Sequence, residues 1–257
     1  MIDLAVSEKV FNKEYIPFYG NKFLIGNGYF GIRGTMEEYR KENMPCVNMA
    51  GIYDKAGDAW RESVNAPNPL YTVVSVNGEK ITLPEKESNS HEQSIDIKTA
   101  IHKRKTVWKT ACGNVTIECE RFASMAEQHI IGMKYTVSVD FDADIEIVTG
   151  IDGDVWDING PHFCKVIPEI KSESVTGITG EKNIRIIAEQ CVKTDFDCDI
   201  STYTDEYSVY KKLSFKASAD REYSFEKIVV IKTSCDDFEC KSYVVVSYTD
   251  AKKRILM

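Results

Sequence analysis

Residues 131–139 alternate strictly: Ile131, Met133, Tyr135, Val137 and Val139 on one set of positions, Gly132, Lys134, Thr136 and Ser138 on the other. Period two puts each set on its own face of an extended chain, so the segment reads as a strand with one buried face and one wet one. Val115, Ile117 and Cys119 alternate with Thr116, Glu118 and Glu120 in the same way. Further strands are read at 70–76, 81–83, 145–149, 183–191, 209–215 and 223–232. Asn77-Gly78 joins two of them, and Asn-Gly accepts the positive φ angles of a tight hairpin. Cys112-Gly113-Asn114 and residues 140–144 are weaker hairpin candidates. Helical periodicity is nearly absent: residues 35–43 make two turns at most, and residues 152–168 are the longest stretch without a strand pattern. The expected fold class is all-β, a large antiparallel β-sandwich.

The chain has 257 residues, enough for one large all-β domain or two small ones, with 13 Tyr and 11 Phe, residues that favour strands. Forty acidic against 32 basic residues give a net charge of -8, which argues against a nucleic-acid partner. The densest basic cluster, His102-Lys103-Arg104-Lys105, is expected at a solvated hairpin end. No apolar run approaches the ~18 residues of a membrane span, and the N-terminus has neither the basic nor the apolar part of a secretory signal. The expected location is the cytoplasm. The eight cysteines form no Cys-x-x-Cys pair and match no zinc spacing, so they are expected to be buried, reduced thiols. Thr249-Asp250 resembles a helix N-cap, and the helix it opens stops after about two turns, well short of the ~11–12 residues of an average helix. The organisation expected is a β-sandwich domain over 1–248 and the start of a linker helix over 249–257, cut from a longer protein.

Gly26-Asn27-Gly28-Tyr29-Phe30-Gly31 spells G-x-G-x-x-G, but a dinucleotide site needs that motif between a strand and a helix, and Ile32-Arg33-Gly34-Thr35 is poor helix material. These glycines are read as permitting tight bends between strands. The run from Asp152 to His162 holds Asp152, Asp154 and Asp157. The EF-hand pattern fails, because Trp156 stands where a ligand is required and Phe163 where the closing glutamate belongs. Trp156, Asp157, Asn159 and His162 suit a sugar better: an aromatic face meets C–H groups, and planar carboxylates and amides bond vicinal hydroxyls. Two readings stay open here, a sugar-binding loop and a cap that tucks its Trp inward. Glu37-Glu38 and Glu118/Glu120 are read as solvated or salt-bridged acids, since neighbours in one strand do not flank a substrate. No Ser/His/Asp arrangement emerges from the motifs; an irregular cation site on the three carboxylates is the minor reading of the loop, and no metal ligand is assigned.

One run of blocks carries a family signature. Residues 23–34, ending in Ile32-Arg33-Gly34 and followed by Glu37-Glu38, resemble the opening of glycoside hydrolase family 65 phosphorylases. Ala50-Gly51-Ile52-Tyr53-Asp54, Val64-Asn65-Ala66-Pro67-Asn68 and Glu120-Arg121-Phe122 resemble the blocks that follow. Residues 151–162 are similar to the kojibiose and trehalose phosphorylase branches more than to the maltose branch. Gly20-Asn21-Lys22 departs from the family, which has an acidic residue and then Ser or Thr.

The resemblance implies a galactose mutarotase-like supersandwich that precedes an (α/α)6 catalytic barrel. It implies phosphorolysis of an α-linked glucose disaccharide, with inversion to β-glucose 1-phosphate. Inorganic phosphate is then a co-substrate and no cofactor is needed. The catalytic residues would lie in the barrel, so this chain is expected to carry none. Its expected partners are its own (α/α)6 domain and, in the parent protein, the disaccharide, with room for a homodimer. A stand-alone carbohydrate-binding sandwich is the competing reading. A sugar epimerase is a third, which needs a His and Glu pair at the centre of a concave sheet.

Overall fold

The computed structural model describes residues 4–83, 85–236 and 247–253. The strands of the first third are β1 (Ala5–Glu8), β2 (Ile25–Gly26), β3 (Phe30–Ile32), β4 (Val47–Asp54), β5 (Glu62–Asn65), β6 (Thr72–Val76) and β7 (Glu79–Ile81). Then come β8 (Ser90–Asp96), β9 (Ile101–Lys109), β10 (Asn114–Ala123), β11 (Ile130–Val139) and β12 (Ala143–Ile151). The last are β13 (Phe163–Glu169), β14 (Ser174–Thr179), β15 (Arg185–Thr194), β16 (Asp199–Thr204), β17 (Val209–Ala217) and β18 (Arg221–Thr233). Two short helices, α1 (Ile16–Lys22) and α2 (Tyr248–Lys253), complete the elements used below.

Three antiparallel sheets result. One has nine strands in the order β1-β8-β9-β10-β11-β18-β15-β14-β13, one has five in the order β16-β17-β12-β6-β7, and a small one runs β2-β3-β4-β5. The alternation read from the sequence decides what lies between them. Val115, Ile117, Tyr135 and Phe225 of the large sheet meet Val74, Ile147 and Leu213 of the five-stranded sheet in one core, which Phe30, Ile32 and Val64 of the small sheet join. A large apolar side chain moved from water into such a core contributes about 1.5–3 kcal/mol, which is why strict alternation fixes the register. The all-β sandwich expected from the sequence is therefore the observed architecture.

The Asn77-Gly78 hairpin forms between β6 and β7, with φ of 50° and 80° at its two central residues. Cys112-Gly113 joins β9 to β10, which pair antiparallel. Residues 140–144 do not make a hairpin. They carry the chain from β11 of the large sheet to β12 of the five-stranded one, because β11 already has β10 and β18 as neighbours while β12 pairs with β6 and β17. The glycine-rich run makes the β2–β3 hairpin, where Gly28 takes a φ of 89° that side chains other than glycine rarely adopt. No helix follows it, in keeping with its exclusion as a nucleotide loop.

The basic cluster was misplaced by its composition. His102 to Lys105 lie inside β9, where His102 and Arg104 face the core and are buried while Lys103 and Lys105 face solvent. The thiols also depart from expectation: among the described cysteines only Cys119 is buried, and Cys112, Cys164 and Cys235 are exposed. Cys240 lies outside the described residues.

Helix α1 was not legible, being short, and residues 35–43 hold a single 3-10 turn, Lys41–Asn43. Helix α2 begins earlier than Thr249. The Ser247 hydroxyl accepts the Asp250 N–H at 3.1 Å and is bonded to the Asp250 carboxylate at 2.7 Å, so Ser247 is the capping residue. Tyr248 and Ala251 of α2 rest on Ile101, Phe122, Ile130, Ile228 and Val230, an apolar patch on the outer face of the large sheet. Among the described residues no helix is long and apolar enough to cross a membrane, which says nothing of β-barrels.

Candidate functional site

Residues 152–162 link β12 of the five-stranded sheet to β13 of the large one, and so lie across one end of the sandwich. Asp152 anchors the entry: Asn68 and Asp152 exchange backbone hydrogen bonds at 2.7 and 2.9 Å. The Asp152 carboxylate accepts from Arg40 at 3.1 Å and from the Ser208 hydroxyl at 2.9 Å. Arg40 in turn donates to the Tyr210 hydroxyl at 3.0 Å and lies 4.2 Å above the Tyr71 ring. Asp154 pairs with Lys41 at 2.7 Å, and the Lys41 ammonium stands 5.0 Å over the Trp156 ring. Each of the three aspartates thus has a cationic or imidazole partner of its own. Among the described residues no group of three or more His, Cys, Asp or Glu is placed to hold a metal ion.

The four residues singled out from the sequence take different positions. Trp156 is 52% exposed, while its backbone carbonyl is held by the Asn65 amide at 3.1 Å. Asp157 turns inward and its carboxylate meets His162 Nδ1 at 2.5 Å. Burial raises the Asp157 carboxyl from 3.8 to about 6, against the opposing pull of His162. Asn159 donates its backbone N–H and its side-chain amide to Glu62, at 2.9 and 3.0 Å. His162 is buried, with Nε2 3.5 Å from Glu62. Ile158, at the tip, is 87% exposed.

Beside the Trp156 ring runs an open groove of about 410 Å³, lined in part by Arg33, Lys41, Met44, Asn48, Trp156 and Ile158. It combines an exposed indole, apolar neighbours and amide and guanidinium groups, the residue types that bind a saccharide by stacking and hydrogen bonds. Arg33 and Lys41 are balanced by Glu62 and Asp157, which also line it, so the charged groups of the groove cancel. Sequence reasoning missed Glu62, Asn65, Lys41 and Arg40. Asn65 and Asn68 lie in a block that carried the family resemblance, whereas nothing in the pattern around Glu62 or Arg40 marks them.

The other carboxylates considered for catalysis are committed elsewhere. Arg104 donates to Glu37 at 2.8 Å and to Glu38 at 2.5 and 2.9 Å, and Arg121 donates to Glu37 at 2.8 Å, all in the buried interior. Burial alone would raise the Glu37 carboxyl, but Arg121 and Arg104 outweigh it and hold it below the usual range. Glu118 pairs with Lys105 at 2.6 Å, and Glu120 with Lys252 and the Tyr248 hydroxyl. The buried histidines of the large sheet bond neutral partners, His91 with Thr106 at 2.8 Å and His102 with Gln93 at 3.1 Å. Burial and Arg104 push the His91 imidazole down to about 3. The His and Glu pair that an epimerase would need is not made by either of them.

Comparisons with known proteins bear on this arrangement. The chain is 38% identical over 264 residues to the nigerose phosphorylase of Lachnoclostridium phytofermentans, an alignment covering 92% of this chain and 35% of that protein. It is 32% identical over 220 residues to the 1,2-alpha-glucosylglycerol phosphorylase of Bacillus selenitireducens, covering 84% of this chain and 29% of that one. The chain therefore spans about a third of the length of these curated relatives. A solved structure of a human-microbiome protein assigned as a kojibiose phosphorylase superposes with a TM-score of 0.83 over 99% of this chain and 37% of its own, at 16% identity, which shows a shared fold. The profile described as glycosyl hydrolase family 65, N-terminal domain, matches residues 6–254. The chain belongs to glycosyl hydrolase family 65, as its N-terminal domain.

Proposed function

We propose that this domain is the non-catalytic N-terminal part of a cytoplasmic phosphorylase that cleaves an α-linked glucose disaccharide with inorganic phosphate and inversion, giving β-glucose 1-phosphate. The observation that carries the reading is the family match over residues 6–254, supported by relatives whose names are those of phosphorylases of neutral glucosides. In such a reaction a glutamic acid protonates the leaving glycosidic oxygen while phosphate attacks the opposite face of the sugar. The paired state of Glu37, Glu38 and Glu62 supports the view that this domain does not supply that acid. Its part is to pack on an (α/α)6 barrel and to present the Trp156 to His162 loop toward the sugar, Trp156 as the stacking ring and Asp157, Asn159 and His162 as its polar surround.

The full-length parent, assayed with phosphate and a panel of trehalose, kojibiose, nigerose and maltose, is expected to consume one of them and release β-glucose 1-phosphate. Consumption of none would overturn the activity. This chain alone is expected to release no sugar in the presence of phosphate, and release would overturn its non-catalytic role. The exposed Trp156 ring also favours a second reading, a self-sufficient carbohydrate-binding module. Calorimetric titration of the same disaccharides onto this chain separates the two: micromolar binding abolished in Trp156→Ala supports the module.

A further inference from the structure

Asn159 and His162 face one side chain, Glu62 of β5, and Asp157 reaches it through His162. The Glu62 carboxylate is 9% exposed. One oxygen takes the Asn159 backbone N–H at 2.9 Å and the other takes the Asn159 amide at 3.0 Å. His162 stands between Glu62 at 3.5 Å and Asp157 at 2.5 Å. Three residues later on β5, Asn65 holds the Trp156 carbonyl at 3.1 Å, the Pro45 carbonyl at 3.1 Å and the Val47 N–H at 2.8 Å. The loop is thus tied to β5 at both of its ends, while its tip residue Ile158 is almost fully exposed and gains nothing from burial.

We propose that Glu62 is a positioning residue: it locks the 156–162 loop against β5, so that the Trp156 indole already stands in the groove before a saccharide arrives. This rests on the reading of Trp156 as the sugar-facing ring. The physical reason is preorganisation. A loop held only by its flanking strands must be ordered on binding, and that ordering is subtracted from affinity. A loop whose Asn159 is held to Glu62 by two hydrogen bonds, with His162 and Asp157 bonded to each other beside it, has been ordered during folding. Glu62 is suited to the role because its two oxygens can accept from both N–H groups of Asn159 at once.

The test uses this chain with Trp60→Phe, which removes the indole that is 66% exposed, while Trp108 is fully buried and out of reach of a collisional quencher. Acrylamide quenching of the remaining exposed indole then reports Trp156. In Glu62→Ala the quenching constant is expected to rise about twofold, as a ring now half-covered becomes free, with amide exchange at residues 156–160 about tenfold faster. Glu62→Gln, which keeps a carbonyl acceptor for Asn159, is expected to fall between the two. Asn159→Ala, a milder change at the other side of the contact, is expected to loosen the ring in the same direction. An unchanged urea midpoint shows that the sandwich is intact in each.

Quenching and exchange that stay at the starting values in both Glu62→Ala and Asn159→Ala overturn the proposal. Titration of a glucose disaccharide separates this from the reading beneath it. A loosened ring with weakened binding supports both, whereas a loosened ring with unchanged binding leaves Glu62 as the lock and removes Trp156 as the sugar platform.

Discussion

Arg104 has no exposed side-chain surface, yet it carries a full charge on the inner face of β9. Glu37 and Glu38 face it from the stretch between β3 and β4, and Arg121 completes the cluster from β10. Desolvating four ionised groups is costly, and the cluster is tolerable only because each charge meets its opposite at hydrogen-bond distance. Replacing Arg104 by Leu strands two carboxylates in the core with Arg121 as their remaining cation. The expected loss is about 3–5 kcal/mol, read from urea unfolding at neutral pH. A loss below ~1 kcal/mol, as for an exposed pair, would show that the cluster is solvated in solution.

At the scale of elements, α2 depends on how closely β10 and β11 approach beneath it. Gly132 of β11 lies against the Phe122 ring of β10: a Cβ at Gly132 would sit 2.3 Å from Phe122 Cζ. The Phe122 ring is in turn covered by Tyr248, with ring centroids 5.4 Å apart. Gly132→Val must therefore push Phe122 outward into the seat of α2. The expected outcome is a loss of about 1–3 kcal/mol and fast exchange of the Ala251 amide, which bonds the Ser247 carbonyl at 2.9 Å. Slow exchange at Ala251 in the variant would mean that α2 is held by something other than this seat. Alternation had already given Gly132 to the outer, polar face of its strand. What alternation cannot say is that the outer face turns apolar at one end, where Ile101, Phe122, Ile130, Ile228 and Val230 come from four strands.

For the whole molecule, the buried acids pull its pH dependence in two directions. Burial raises the Asp157 carboxyl from 3.8 to about 6, and it raises Asp152 as well. A raised acid binds its proton more tightly in the folded state, so the stability it contributes is complete below the unfolded value and is lost as pH rises through the folded one. Glu37, Asp54 and Glu120 are lowered, so theirs is present at neutral pH and lost on acidification. As pH rises from ~4 to ~6 the ionisation of Asp157 should therefore subtract stability. The change in unfolding free energy from pH ~4 to ~6 should be more positive in Asp157→Asn than in the unsubstituted chain. Equal changes in both would show that Asp157 ionises there without opposition from its surroundings.

What the sequence determined by itself is the kind of molecule: period-two alternation, an Asn-Gly turn and ordered family blocks sufficed for an all-β sandwich of family 65, because those signals are local and repeat every few residues. The strands of the small sheet escaped it, being two to eight residues long and rich in glycine and polar groups, so that no alternation accumulates. The sequence also pointed to the Trp156 to His162 loop, from residue types alone. Only the tertiary structure decided which of its side chains look outward. That depends on partners distant in the chain: Glu62 lies 97 residues from Asn159, and Arg40 112 residues from Asp152. The same holds for the basic cluster of β9, where composition suggests solvent and the contacts of Glu37 and Glu38 place Arg104 in the core. A polar side chain takes its meaning from whichever group neutralises it, and that group is chosen by the packing of sheets, which no local pattern records.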